Sequence, residues 1–290
     1  MKRSRLIPVI CVSTIILLPA AFGQGSLTPP GAPAPTMKTL DQIEARTPVD
    51  AAHTPGNAIA QFIITQPGSY YLTTNIVGVS GQRGIQIQTG NVTLDLNGFS
   101  MFGVSGVYQA IYLPFASTTT NVTVRNGIII GWIQGIYCFG QNEIFEQLNV
   151  SQNLGDGIDC SDGTQITGCT VNGNGQSGIE VNGSACLVRD NNCAGNNTAN
   201  NSAVAGIYIL GSRNRIEANH ITGSGSGAAG YGILVVNSSN YTNNIIVRNS
   251  VISGGANNYF ANASQILGPL ISGTASGIIT NSNPWANFSF

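Results

Sequence analysis

The chain has 290 residues, 37 of them glycine, with 42% hydrophobic and 8% charged residues; its 11 basic and 12 acidic groups leave a formal net charge of −1. So few charges exclude a charge-rich disordered chain, and so much glycine does not suit a helical bundle. There is no basic stripe of the kind that neutralises phosphates, so no nucleic-acid partner is expected.

Lys2, Arg3 and Arg5 precede an apolar run from Leu6 to Leu18, followed by the small residues Ala20, Ala21 and Gly23. This is the layout of a secretory signal peptide over residues 1–23, and it predicts a secreted protein, extracellular or periplasmic, that starts near Gln24. No later run reaches the roughly 20 apolar residues of a spanning helix, so no membrane span is expected. Removal of the leader also removes Cys11, which leaves Cys138, Cys160, Cys169, Cys186 and Cys193, an odd number for a compartment that permits disulfides. Their spacing contains no CxxC or Cys/His zinc pattern.

Residues 24–58 read as a tether and a cap. "GSLTPPGAPAP" is an extended Pro-rich stretch, and "TMKTLDQIEAR" predicts a short capping helix with Thr36 as N-cap and Met37, Leu40 and Ile43 on one face. "FIITQPGSYYLTTNI", from Phe62 to Ile76, reads as strands around a Pro-Gly turn. Residues 59–268 carry the repeats. Residues 269–290 form a C-terminal cap or tail whose "NPWANFSF" offers three aromatics to cover the last coil.

A small residue followed by isoleucine recurs at Gly84-Ile85, Ala110-Ile111, Gly135-Ile136, Gly157-Ile158, Gly178-Ile179, Gly206-Ile207 and Gly232-Ile233, with a degenerate copy at Asn258-Tyr259. The second residues are 26, 25, 22, 21, 28, 26 and 26 apart, the span of one solenoid coil. A second element, marked by Asn97, Asn126, Asn192, Asn219 and Asn249, gives each coil at least two short strands. A short alternating strand cannot bury its apolar side alone, so each must stack on its neighbour in a parallel β-solenoid of about eight coils. Glycine and asparagine supply left-handed corners, and asparagines repeating at one corner would form a ladder of hydrogen bonds.

From Phe62 to Ser264 the chain resembles the right-handed parallel β-helix proteins, the superfamily of pectate and pectin lyases, polygalacturonases and alginate epimerases. "NVTLDLNGF", "NVTVRNGI", "DGIDC", "SGIEV", "NRIEANHITG" and "YGILVVNSS" carry the resemblance, and they are motifs of fold and specify no reaction. The leader with "PPGAPAPTMKTLDQIE" and "QPGSYYLT" also resembles a group of exported bacterial β-helix proteins. "DGID" at Asp156 to Asp159 is similar to part of the polygalacturonase catalytic stretch. The Asn-Thr-Asp that precedes it in that family is here Asn153-Leu154-Gly155, and Gly-His-Gly and Arg-Ile-Lys do not occur. The resemblance also implies calcium and an arginine or lysine base, as in pectate lyases, but Lys38 lies in the cap. No family catalytic set transfers intact.

Stacking puts the residue after each marker on the outer face of one sheet: Gln86, Tyr112, Tyr137, Asp159, Glu180, Tyr208, Leu234 and Phe260. Asp159 and Glu180 then sit on adjacent rungs about 4.8 Å apart, where mutual repulsion raises a pKa or recruits a cation such as calcium. As a catalytic pair they suit a polysaccharide lyase or glycoside hydrolase. Tyr112, Tyr137 and Tyr208 suit stacking on sugar rings, and Asp156 and Asp162, near the two ends of the same strand, complete a substrate-binding set. Connections of 12 residues before Ile111, 8 before Ile136, Ile158 and Ile179, then 13 and 12 before Ile207 and Ile233, predict a saddle over the acidic rungs. The expected partner is therefore a polysaccharide or cell-surface glycan. The bland alternative is a structural or adhesive solenoid whose acidic groups are solvated surface charges.

Other candidates carry less. His220 is a base for an epimerase-like step or an ordinary surface histidine. Arg125, Arg189 and Arg248 lie near corresponding positions but out of register, which predicts surface pairing with Glu146 or Glu217. Cys138 and Cys160 are stacked inward, as a disulfide or as buried thiols.

Overall fold

The small-plus-isoleucine pairs lie one above another. Ile85 pairs with Ile111, Ile111 with Ile136, Ile136 with Ile158, Ile158 with Ile179, Ile179 with Ile207, Ile207 with Ile233 and Ile233 with Tyr259, all in parallel strands. Phe62 pairs with Ile85 below them, so the strand Ala60–Ile64 is itself the first rung. The computed structural model describes residues 44–290 except 116–118, 202–203, 226, 253–254 and 274–281. The expected leader, the tether and most of the capping segment lie outside these residues. The last three residues of that segment, Glu44 to Arg46, are not helical, and there is no helix among the described residues.

This wall is a sheet of nine strands among the described residues, and a second, 18-stranded sheet folds into two further walls. One coil shows the plan: Ile158–Cys160 lies in the first wall, Gln165–Thr167 in the second and Thr170–Asn172 in the third. Their inward residues fill a continuous core in which Ile85, Ile111, Ile136, Ile158, Ile179 and Ile207 are fully buried. Full burial of such a side chain stabilises by about 1.5–3 kcal/mol, and the stack repeats that gain on every coil.

The small residue before each isoleucine is a steric requirement. A Cβ on Gly157 would stand 2.5 Å from Val171 Cγ1 and 2.7 Å from Gly178 O; one on Gly135 would stand 2.5 Å from Val150 Cγ1. The chain turns into the first wall here, with its backbone pressed against the third wall. Ala110 is the largest side chain at this position from Gly84 to Gly232, and it is completely buried.

The corner between the second and third walls holds a column of left-handed residues: Asn126, Gln147, Gly168, Asp190, Ala218 and Arg248. Gln147, Ala218 and Arg248 are neither glycine nor asparagine, so the surroundings impose a conformation that is disfavoured by about 1–2 kcal/mol per residue. Buried asparagines beside this column tie the coils together. Asn191 Oδ1 accepts from the Cys169 amide at 2.9 Å, and Asn191 donates from N and Nδ2 to Asn219 Oδ1 at 3.1 and 3.0 Å. The series runs on through Asn249 to Asn287.

Two more ladders occupy the other corners: Asn153, Asn174 and Asn196 before the first wall, and Asn214, Asn244 and Gln265 after it. The sequence predicts one ladder and marks it partly by Asn192. Asn192 instead pairs with His220, and the ladder passes through Asn191, a slip of one residue.

Short strands cover the ends. Thr47–Pro48 pairs with the strand Gly68–Tyr71, and Asn287–Ser289 lies against both Ser250–Ile252 and Leu270–Ser272. No helix of the described residues is long and apolar enough to cross a membrane.

Candidate functional site

The residue after each marker forms one outer column on the first wall, in unbroken register from Gln86 through Tyr112, Tyr137, Asp159, Glu180 and Tyr208 to Leu234 and Phe260. Asp159 and Glu180 are direct partners on neighbouring strands. Asp159 and Asp156 are each only 4% exposed, although both belong to the outer surface of the wall. Solvated surface charges would be open to water, and these are not.

Asn182, two residues beyond Glu180, binds the pair together. Its Nδ2 donates to Asp159 Oδ1 at 2.8 Å and to Glu180 Oε1 at 2.9 Å. Asp156 Oδ1 accepts from the Ser177 amide at 2.9 Å. Burial, with Glu180 and Asp156 close by, pushes the Asp159 carboxyl up to about 8. Burial and the neighbouring Asp156 push Glu180 up to about 7, and burial raises Asp156 too. Near neutral pH the cluster therefore holds protons that isolated carboxylic acids would have released.

An aromatic shelf leads up to these acids. The Tyr112 and Tyr137 rings are 6.0 Å apart, and Phe139 packs edge-on against Tyr137 at 4.6 Å. Burial, with Asp159 beside it, raises the Tyr137 phenol; burial, with Glu180 beside it, raises Tyr208 on the far side. Parallel to the shelf runs a polar chain. Arg83 Nε donates to Gln109 Oε1 at 3.0 Å and Gln109 Nε2 to Gln134 Oε1 at 3.1 Å, and Asp156 stands on the next rung beyond Gln134. The Arg83 guanidinium also lies 3.9 Å above the Tyr112 ring.

Sequence reasoning misses Arg83, Gln109, Gln134, Phe139, Ser177 and Asn182. Arg83, Gln109, Gln134, Asp156 and Ser177 all stand two residues before a marker, and that shared offset is the signal that finds them.

The family model for the right handed beta helix region matches residues 109–283. The chain belongs to the right-handed β-helix family. No curated protein matches the sequence. Solved structures of similar fold include a double mutant of the periplasmic alginate epimerase, at 15% identity over 80% of this chain and 68% of that one, with a TM-score of 0.44. The Dettilon tailspike protein is 18% identical over 74% of this chain and 41% of its own, with a TM-score of 0.40. The A-module of the Azotobacter vinelandii mannuronan C-5 epimerase is 17% identical over 76% and 90%, at 0.36. These likenesses are of fold alone.

Other expected site residues of this β-helix lie apart from the acidic cluster. Asp162 is exposed at the far end of the strand, where its Oδ1 accepts from the Ser184 amide at 2.7 Å and so links two coils. His220 is exposed on the third wall. Arg248 pairs with Glu217 at 3.2 Å, as expected, whereas Arg125 pairs with Asp95 at 3.3 Å and Arg189 with its neighbour Asp190 at 3.8 Å. Arg125 and Arg189 share one column, through Glu146 and Thr167, and Arg248 falls one residue out of it.

Among the described residues no group of three His, Cys, Asp or Glu side chains is placed to hold a metal ion. The space between Asp159 and Glu180, where calcium is expected, receives the Asn182 amide donors, which repel a cation. All five described cysteines are buried free thiols, Cys138 and Cys160 among them. Cys186 Sγ lies 3.1 Å from the Ser161 carbonyl oxygen.

Proposed function

We propose that this exported β-helix protein binds a polysaccharide along its first wall and cleaves it with Asp159 and Glu180. The observation that carries this reading is the buried Asp159 and the half-buried Glu180 side by side on one outer face, bridged by the Asn182 amide at 2.8 and 2.9 Å. Tyr112, Tyr137 and Phe139 offer flat apolar faces to sugar rings and lead the chain toward the acids. The longer connections before Ile111 and Ile207 flank this stretch.

A carboxyl that keeps its proton near neutrality can give it to a glycosidic oxygen as the bond breaks. Its partner stands on the neighbouring strand, and both carboxyls reach the same Asn182 nitrogen at 2.8 and 2.9 Å, a close pairing of the kind that suits a nucleophile and a retained anomeric configuration. Asp159, the more deeply buried of the two, takes the acid role. Glu180, as the carboxylate, attacks the anomeric carbon while the leaving oxygen takes the Asp159 proton; water, deprotonated by Asp159, then cleaves the glycosyl ester and restores both groups. Asn182 fixes the orientation of both.

The test is turnover of a polysaccharide panel, read as new reducing ends, by wild type, Asp159→Asn and Glu180→Gln. Release by wild type and its loss in both variants supports the proposal. Unchanged release in both variants removes the catalytic pair, and a wild type that binds no glycan removes the reading entirely.

A further inference from the structure

The charge of the wall also selects among glycans, an inference that rests on the polysaccharide reading above. Among the described strands of the first wall, Arg83 is the only lysine or arginine. Its guanidinium is already engaged, donating to Gln109 Oε1 at 3.0 Å and Gln86 Oε1 at 3.2 Å, with its face on Tyr112 at 3.9 Å. From there to Glu180 the wall presents aromatic faces, phenols, the amides of Gln109, Gln134 and Asn182, and three carboxyls. We propose that the ligand is a neutral polysaccharide, one without carboxylate, sulfate or amino groups on its sugars.

A polyuronate laid along this wall would bring negative charge to Asp156, Asp159 and Glu180 with no unengaged guanidinium or ammonium group on the described strands of the wall to receive it. Below neutral pH the protonated cluster offers a uronate no ion pair; above it, the ionised cluster repels. The ammonium of an amino sugar would have to lose its water against Asp156 and Asp159, each only 4% exposed, where Asp159 Oδ1 and Glu180 Oε1 already accept from Asn182. A neutral sugar needs neither. Its CH faces pack on Tyr112 and Tyr137, and its hydroxyls bond to amides and carboxyls as both donor and acceptor.

The experiment uses matched pairs: β-glucan, α-glucan, xylan and galactomannan, each beside its own carboxymethylated form, with polygalacturonate, alginate and chitosan alongside. Binding to the full chain is measured by calorimetry just below neutral pH. A neutral backbone should bind at least about tenfold more tightly than its carboxymethylated partner, with an affinity unchanged by added salt. A carboxymethylated form, polyuronate or chitosan that binds as well as or better than every neutral backbone overturns the inference. If neither member of any pair binds and the charged glycans also fail, the polysaccharide reading itself falls, an outcome distinct from the wrong charge class.

Discussion

Asp159 and Glu180 lie opposite each other on neighbouring parallel strands and accept hydrogen bonds from one and the same amide group, Asn182 Nδ2. Two like charges held side by side on a half-dry surface oppose each other, so one proton or more stays with them. Asp159→Asn removes that conflict and the acid together. Turnover should fall by about 10²- to 10⁴-fold while thermal stability at alkaline pH rises, and comparing rates with melting curves separates the two effects.

Stability should decline with rising pH. Asp156, Asp159 and Glu180 have raised pKa values, and burial also pushes Glu143 up to about 7. A carboxyl whose folded pKa exceeds its unfolded value contributes stability that is complete below the unfolded pKa and lost as pH rises through the folded one. Each pKa unit of difference is worth about 1.4 kcal/mol. The melting temperature should therefore drop between about pH 5 and about pH 9, and more shallowly in Asp159→Asn. A flat profile in wild type would show that these groups titrate normally.

Gly157→Ala should destabilise by about 1–3 kcal/mol through overpacking, because the new Cβ meets Val171 Cγ1 at 2.5 Å and Gly178 O at 2.7 Å. Denaturant melts read this directly. Its backbone φ is not left-handed, so a tolerated alanine would mean that the third wall can yield.

Asn219→Ala should cost at least about 1–3 kcal/mol, the penalty for leaving a buried polar group unpaired. The substitution orphans the donors of Asn191 at 3.1 and 3.0 Å and the Val188 carbonyl at 2.9 Å. Asn219→Asp keeps the acceptor but loses the donors and adds charge, so chemical melts should rank it no better than alanine.

The five thiols from Cys138 to Cys193 should resist a thiol reagent in the folded protein and all react once it is unfolded. Fast labelling of Cys160 or Cys186 in the native state would contradict their burial.

The repeat was legible because its period in the sequence is its spacing in space: from Ile85 to Tyr259 every marker has its neighbour one interval away. The Asp159–Glu180 pair followed from the same register. The rest of the cluster was hidden by a break in alternation. Counting by twos from Ile158 puts Asp156 inside, but the turn at Gly157 resets the face, so Asp156, Gln134 and Arg83 join the outer surface. Asn182 lies past the end of its strand, where periodicity gives no direction. The left-handed column escaped because Gln147, Ala218 and Arg248 carry no local preference for it; stacking against coils above and below imposes it.

The Asn191 to Asn287 ladder has one more implication, which lies in how it stops. At the last step Asn287 Nδ2 turns back to the Ile246 and Gly268 carbonyls at 2.8 and 3.2 Å, so that seam offers no spare donor beyond itself. A stack of identical tiers could otherwise recruit a second molecule end to end and grow into a fibre. At this seam the closing asparagine directs both of its side-chain donors back into its own molecule.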